Sequence, residues 1–100
     1  MLPKTIESAL NKQIQDELYA SYLYLSMSAY CHTMTLKGFA HWLKLQSDEE
    51  RGHAMKIFDF IVDRGGKVSL QEIQQPPGSF TSIADLVERV LTHEQKVTAI

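Results

Sequence analysis

Cysteine is almost absent: the single Cys31 can close no internal disulfide and cannot by itself build a thiolate cluster, which fits a reducing compartment. A basic excess is missing too. Ten Lys and Arg stand against twelve Asp and Glu, so the formal net charge is −2 and no nucleic-acid partner is expected. No run approaches the ~20 apolar residues needed to span a bilayer, and the opening Met1-Leu2-Pro3-Lys4 starts no apolar signal segment. The expectations are no membrane partner and a cytoplasmic location. Glycine and proline are scarce, five and three, and cluster as Gly65-Gly66 and Pro76-Pro77-Gly78. With 44% hydrophobic and 22% charged residues, the chain has the composition of a globular domain.

What is present is a set of amphipathic stripes interrupted by carboxylates. The run Asp48-Glu49-Glu50-Arg51-Gly52-His53 sits inside a stripe of Phe39, Leu43, Gln46, Glu50, His53, Ile57, Phe60 and Arg64, at alternating steps of four and three. Two inward positions are therefore ionisable. A first stripe runs Leu10, Ile14, Glu17, Ser21, Tyr24, Ser28, and a third runs Ile83, Val87, Val90, Glu94, Val97. Each helix thus carries a carboxylate in its apolar seam. An isolated ionised carboxylate there is costly, so it must shift its pKa, pair, or bind a metal. Three carboxylates converging with one histidine favour the metal.

Chain geometry lets them converge. Glu17 and Glu50 lie almost equally far from Met34 on either side, so two antiparallel helices turning there bring them to one level. Thr35 is the expected N-cap of the second helix. Ser82, followed by Asp85 three residues on, makes a capping-box-like start to the third, which puts Glu94 at a comparable depth if the second and third helices are parallel. The residues between them, 65–81, reach at most about 55–60 Å extended. The second helix is about 43 Å long at ~1.5 Å per residue, so this linker can return along the whole bundle. We expect one domain over 1–100, with helices at about 5–32, 36–64 and 82–100 and a crossover loop at about 65–81. The third stripe is still running at Val97 and Ile100 without a stop signal, and the sequence is expected to break off within that helix, before a fourth.

The segment Asp16-Glu17-Leu18-Tyr19-Ala20-Ser21-Tyr22-Leu23-Tyr24, the run Glu49-Glu50-Arg51-Gly52-His53-Ala54 and His93-Glu94-Gln95 together resemble a ferritin, most closely the non-haem bacterial type. The resemblance spans essentially the whole chain. It implies an all-α, ferritin-like four-helix bundle with a long crossover between the second and third helices. It also implies a diiron centre within one subunit, where Glu17 and His53 hold one iron, Glu50 bridges both and Glu94 holds the second. Glu49 corresponds to a ligand of an additional iron site, and Tyr24 to a tyrosine beside the centre. Proteins of this kind oxidise Fe(II) with O2 or H2O2 and store the ferric product in a homo-oligomeric shell of about 24 subunits. Ligand type alone would suit iron, manganese or zinc, and the resemblance selects iron.

Plainer readings stand beside these. Glu50 and His53 could be an inward hydrogen-bonded pair, Glu49 a solvated surface glutamate, and Tyr24 simple core. Tyr19, Tyr22, Tyr30, Trp42, Phe58 and Phe60 read as packing within the bundle or between subunits. His32, His41 and His93 lie off the stripes and read as surface residues. Arg51 stands where a haem-binding relative would carry methionine, so no haem is expected. The competing functions are a diiron oxidase or oxygenase, a rubrerythrin-like peroxidase, and a non-catalytic metal-binding subunit.

Overall fold

The computed structural model describes residues 2–98, with side chains through Gln95. It contains three α-helices: α1 (Lys4–Thr33), α2 (Lys37–Asp63) and α3 (Ile83–Thr98). The molecule is an elongated rod, 50 × 22 × 20 Å. Among the described residues no helix is long and apolar enough to cross a membrane. Val97 and Ile100, the expected last positions of the third stripe, lie outside the residues whose side chains are described.

α1 and α2 pack antiparallel, and the contacts between them fix the register. Ser28 Oγ donates to the Ala40 carbonyl at 2.6 Å, and one layer along Ser21 Oγ donates to the Ser47 carbonyl at 2.8 Å. Ser47 Oγ returns a bond to the Ser21 carbonyl at 2.6 Å. These hydroxyls are small enough to let the helices approach, and each finds an acceptor on the opposite backbone. Moving one residue up α1 moves one residue down α2. Glu17 therefore falls beside Glu50 and His53.

The two helix stops are built alike from different residues. After α2, Gly66 N–H reaches the Ile61 carbonyl and Gly65 N–H the Val62 carbonyl, with Gly65 at φ 73°. This Schellman arrangement needs a left-handed residue, which glycine supplies at low cost. Gly66 is held by a close approach instead, since a Cβ there would lie 3.0 Å from Ile61 Cγ2 and Leu2 Cδ2. After α1 the same bonds run from Leu36 to Cys31 and from Thr35 to His32, but the left-handed residue is Thr35, at φ 58°. Thr35 is therefore not the N-cap expected from sequence. That place belongs to Leu36, which makes no side-chain cap, while the Thr35 hydroxyl bonds the Met34 carbonyl. The reversal between α1 and α2 is so short that the helix-stop conformation and the threonine fall on one residue.

The connection between α2 and α3 runs back along α1 in register. Asn11 holds both the Lys67 carbonyl, at 3.0 Å, and the Ser69 N–H, at 2.8 Å. Further along, Gln15 bonds the Glu72 carbonyl, Ser26 the Pro77 carbonyl and Tyr30 the Phe80 carbonyl. This is the long crossover expected from sequence. It delivers α3 antiparallel to α1, hence parallel to α2. Ser82 and Asp85 make the expected capping-box-like start: Asp85 N–H bonds Ser82 Oγ at 3.1 Å, while Asp85 Oδ2 accepts from Thr81 N–H, one residue before the cap, at 3.3 Å.

Two apolar clusters fill the interior. One gathers Tyr24, Met27, Cys31, Leu43, Phe80, Leu86 and Val90, and the other gathers Ile14, Ala54 and Ile61. Fully burying such a side chain contributes about 1.5–3 kcal/mol. The expected stripe of α1 lies inward as read, but those of α2 and α3 drift. On α2 the buried positions are Ala40, Leu43, Ser47, Glu50, Ala54 and Ile61. Phe60 and Arg64, expected inward, are exposed and pair with each other, the guanidinium lying 4.5 Å from the ring centroid. On α3 Leu86 is buried in place of Val87, which is 36% exposed. On α2 the small residues Ala40, Ser47 and Ala54, which the expected stripe passes over, take buried positions.

Candidate metal centre

Between the two apolar clusters lies a polar layer made by Glu17 and Ser21 of α1 and Ser47, Glu50 and His53 of α2. His53 Nδ1 is 3.5 Å from Glu17 Oε2 and 3.6 Å from Glu50 Oε2. One ligand atom from each of the three residues falls within 4.8 Å of the others. An ion with ligand bonds of about 2.0–2.2 Å separates its ligands by just such distances.

The electrostatics of this layer are unresolved without a cation or a proton. Glu50 is only 5% exposed. Burial first, then the hydrogen bond and charge of Glu17, then the charges of Glu94 and Glu49 push its carboxyl up to about 8. Burial also acts to raise Glu17, but hydrogen bonds from Glu50 and Gln13, together with the charge of His53, more than offset it and hold Glu17 below the ordinary value. Gln13 Nε2 donates to Glu17 Oε1 at 2.9 Å. With both carboxyls ionised, Glu17 Oε2 and Glu50 Oε2 are buried acceptors without a donor. A proton on Glu50 makes them a donor and acceptor pair. A cation would satisfy both at once.

The remaining predicted residues surround this pair. Glu49 is exposed, and its Oε1 lies 4.0 Å from His53 Nε2, on the side away from Glu17. Glu94 Oε1 accepts the Tyr24 hydroxyl at 2.9 Å, so α3 brings its carboxylate to the edge of the layer rather than into the three-residue cluster. Tyr24 is 1% exposed. Burial, followed by the hydrogen bond to Glu94, pushes its phenol far above the ordinary value, and it remains a proton donor.

His93 corrects the sequence reading. Expected on the surface, it lies at the centre: its Nε2 is buried without a partner, 3.5 Å from Glu50 Oε1. Its ring stands edge-on to Tyr24, with centroids 5.3 Å apart at 86°. The steps Leu86, Val90, His93 follow the helical period as well as Val87, Val90, Glu94, and the buried Leu86 marks the former as the inward line. His32 and His41 are exposed, as read.

Helices of one bundle that deliver two glutamates and a histidine to a common point form a group that could hold a metal ion, an arrangement found in carboxylate-type helical bundles. The ferritin-like domain pattern matches residues 7–100. The chain belongs to the ferritin family. It is 39% identical over 100 residues to a bacterial non-heme ferritin of Bacteroides fragilis, covering all of this chain and 63% of that protein. To the bacterial non-heme ferritin of Campylobacter jejuni it is 40% identical over 98 residues, covering 98% of this chain and 59% of that one. An open pore ferritin from the archaeon Archaeoglobus fulgidus superposes with a TM-score of 0.93 at 43% identity, covering 99% of this chain and 61% of that one. The chain spans about three fifths of the length of these relatives. The expected all-helical, ferritin-like fold is the one observed.

Proposed function

We propose that this protein oxidises Fe(II) at the Glu17, Glu50 and His53 centre and stores the ferric product within a homo-oligomeric shell, in the manner suggested by its non-haem ferritin relatives. The observation that carries the reading is the convergence on His53 Nδ1, at 3.5 and 3.6 Å, of Glu17 Oε2 and Glu50 Oε2, two buried oxygens that are left without a donor whenever both carboxyls are ionised. Buried acceptors without donors cost about 1–3 kcal/mol each or more when charged. A cation removes that cost.

In this reading iron is the substrate. Glu17 and His53 would hold one iron, Glu50 would be shared with a second, and Glu94 would hold the second. Tyr24 stays protonated and orients Glu94, while Glu49 serves an additional iron beside the centre. Two Fe(II) supply two electrons, enough to reduce O2 to peroxide or H2O2 to water. Glu50 must release its proton before it bridges, so iron entry is coupled to proton exit. We place the protein in the cytoplasm, in a shell of about 24 copies.

The test is Fe(II) oxidation in air by the protein, followed by particle sizing and iron content. Rapid oxidation, with loss of rate in Glu50→Ala and His53→Ala and unchanged helicity, is expected. A wild-type rate in folded Glu50→Ala overturns the assignment. Oxidation without mineral-filled particles would favour a diiron oxidase instead, and iron binding without oxidation a non-catalytic subunit.

A further inference from the structure

His93 has no part in the ligand set just proposed, yet its Nε2 lies 3.5 Å from the second oxygen of Glu50. The Glu50 carboxyl is divided between two imidazoles: Oε2 faces His53 Nδ1 at 3.6 Å and Oε1 faces His93 Nε2 at 3.5 Å. His53 comes from the same helix and His93 from α3. The His93 ring cannot turn freely, because Tyr24 packs edge-on against it and the Tyr24 hydroxyl is tied to Glu94 on the next residue of α3. Its Nε2 is shielded from solvent, makes no hydrogen bond, and lies within ion-pair distance of Glu50 Oε1.

We propose that His93 is a positioning residue that separates the two metal-binding steps, by holding Glu50 Oε1 until a second metal takes it. This rests on the metal-site reading above. With an N–H at Nε2, His93 anchors Oε1 and keeps Oε2 turned toward Glu17 and His53. One metal then meets a prearranged set of three ligands. A bridging second metal must draw Oε1 away from His93, so it binds against that contact. Removing the N–H weakens the first step and spares the second. Groups that orient a ligand in this way typically change metal affinity 10–100-fold.

Zn(II), which is not oxidised, isolates binding from chemistry. Titrating the protein calorimetrically should show two steps in the wild type. His93→Phe keeps an edge-on aromatic ring but loses the N–H, and should narrow the ratio of the two dissociation constants by about tenfold or more. His93→Gln restores a donor and should restore the separation. A His93→Phe ratio equal to wild type, or an equal change in both variants, overturns the proposal, because a purely packing role would not distinguish Phe from Gln in this way. Wild-type protein that binds no Zn(II) overturns the metal-site reading itself. Two-step binding with an unmoved ratio in His93→Phe overturns only the role of His93.

Discussion

The Tyr24 hydroxyl on α1 reaches across 70 residues of sequence to donate to Glu94 Oε1 on α3, at 2.9 Å. That bond ties the start of the bundle to the helix that arrives by the long crossover. Because burial and Glu94 together keep the phenol protonated, its chemical part is that of a fixed donor and not of a base.

Tyr24→Phe should therefore keep the ring's packing and its contact with His93 while removing the bond to Glu94 Oε1. A hydrogen bond to a charged group contributes about 1.5–3 kcal/mol, so metal-free stability should fall by roughly that amount at most. Fe(II) oxidation should slow several-fold without vanishing. Stopped-flow oxidation beside urea unfolding checks both, and complete loss of oxidation in a folded Tyr24→Phe protein would contradict the donor role.

The equal spacing of Glu17 and Glu50 about Met34 was legible because a tight turn between long helices leaves a single free variable, the position of the turn. The crossover was legible from its glycines and prolines. The misses on α2 and α3 are both errors of helical phase by about one residue. The steps of four and three from Phe39 pass over Ser47 and Ala54, yet small side chains occupy the positions where helix axes come nearest, and the true inward line on α2 passes through them. Phe60 and Arg64 were displaced outward as a result. The same half-step on α3 hid His93 behind Glu94. Thr35 failed for a different reason, since no pattern of polarity reports a backbone angle.

Glu49 gives a second prediction. Its contact with His53 is long and solvent-exposed, so it adds little to the Glu17, Glu50 and His53 cluster. Glu49→Ala should leave the initial oxidation of two irons near the wild-type rate and change later turnover or the ratio of iron oxidised to O2 consumed. Simultaneous optical and oxygen-electrode recording separates the two phases. Loss of the initial phase would mean that Glu49, not Glu50, serves the centre.

Thr35 holds a left-handed conformation that costs a side chain with a Cβ about 1–2 kcal/mol. Glycine relieves that strain but loses roughly 0.5–1 kcal/mol through the greater freedom of the unfolded chain. Thr35→Gly should stabilise the protein by about 0.5–1 kcal/mol, with no effect on metal binding. A lower urea midpoint for Thr35→Gly would show that the bond from its hydroxyl to the Met34 carbonyl outweighs the strain.

Glu50 supplies the pH dependence, and its sign follows from where the proton resides. In the folded, metal-free protein its carboxyl is raised to about 8, chiefly by burial and then by Glu17, against 4.5 as the ordinary value. Between those two pH values the folded state holds a proton that the unfolded state has released. Stability must then fall as pH rises through that window, with no penalty below about 4.5 and the full penalty above about 8. Glu50→Gln carries a neutral side chain of the same shape and cannot titrate. Kept free of metal with a chelator, it should lose less stability than wild type between about pH 5 and pH 8, and should be the more stable of the two at the upper end by on the order of 1–3 kcal/mol. Zn(II) reverses the wild-type trend, because each ion bound must expel the Glu50 proton, and its affinity should climb with pH up to about 8. Urea midpoints for both proteins, with and without Zn(II), measure every part of this. Parallel pH profiles for wild type and Glu50→Gln in the absence of metal would place the proton on some other group.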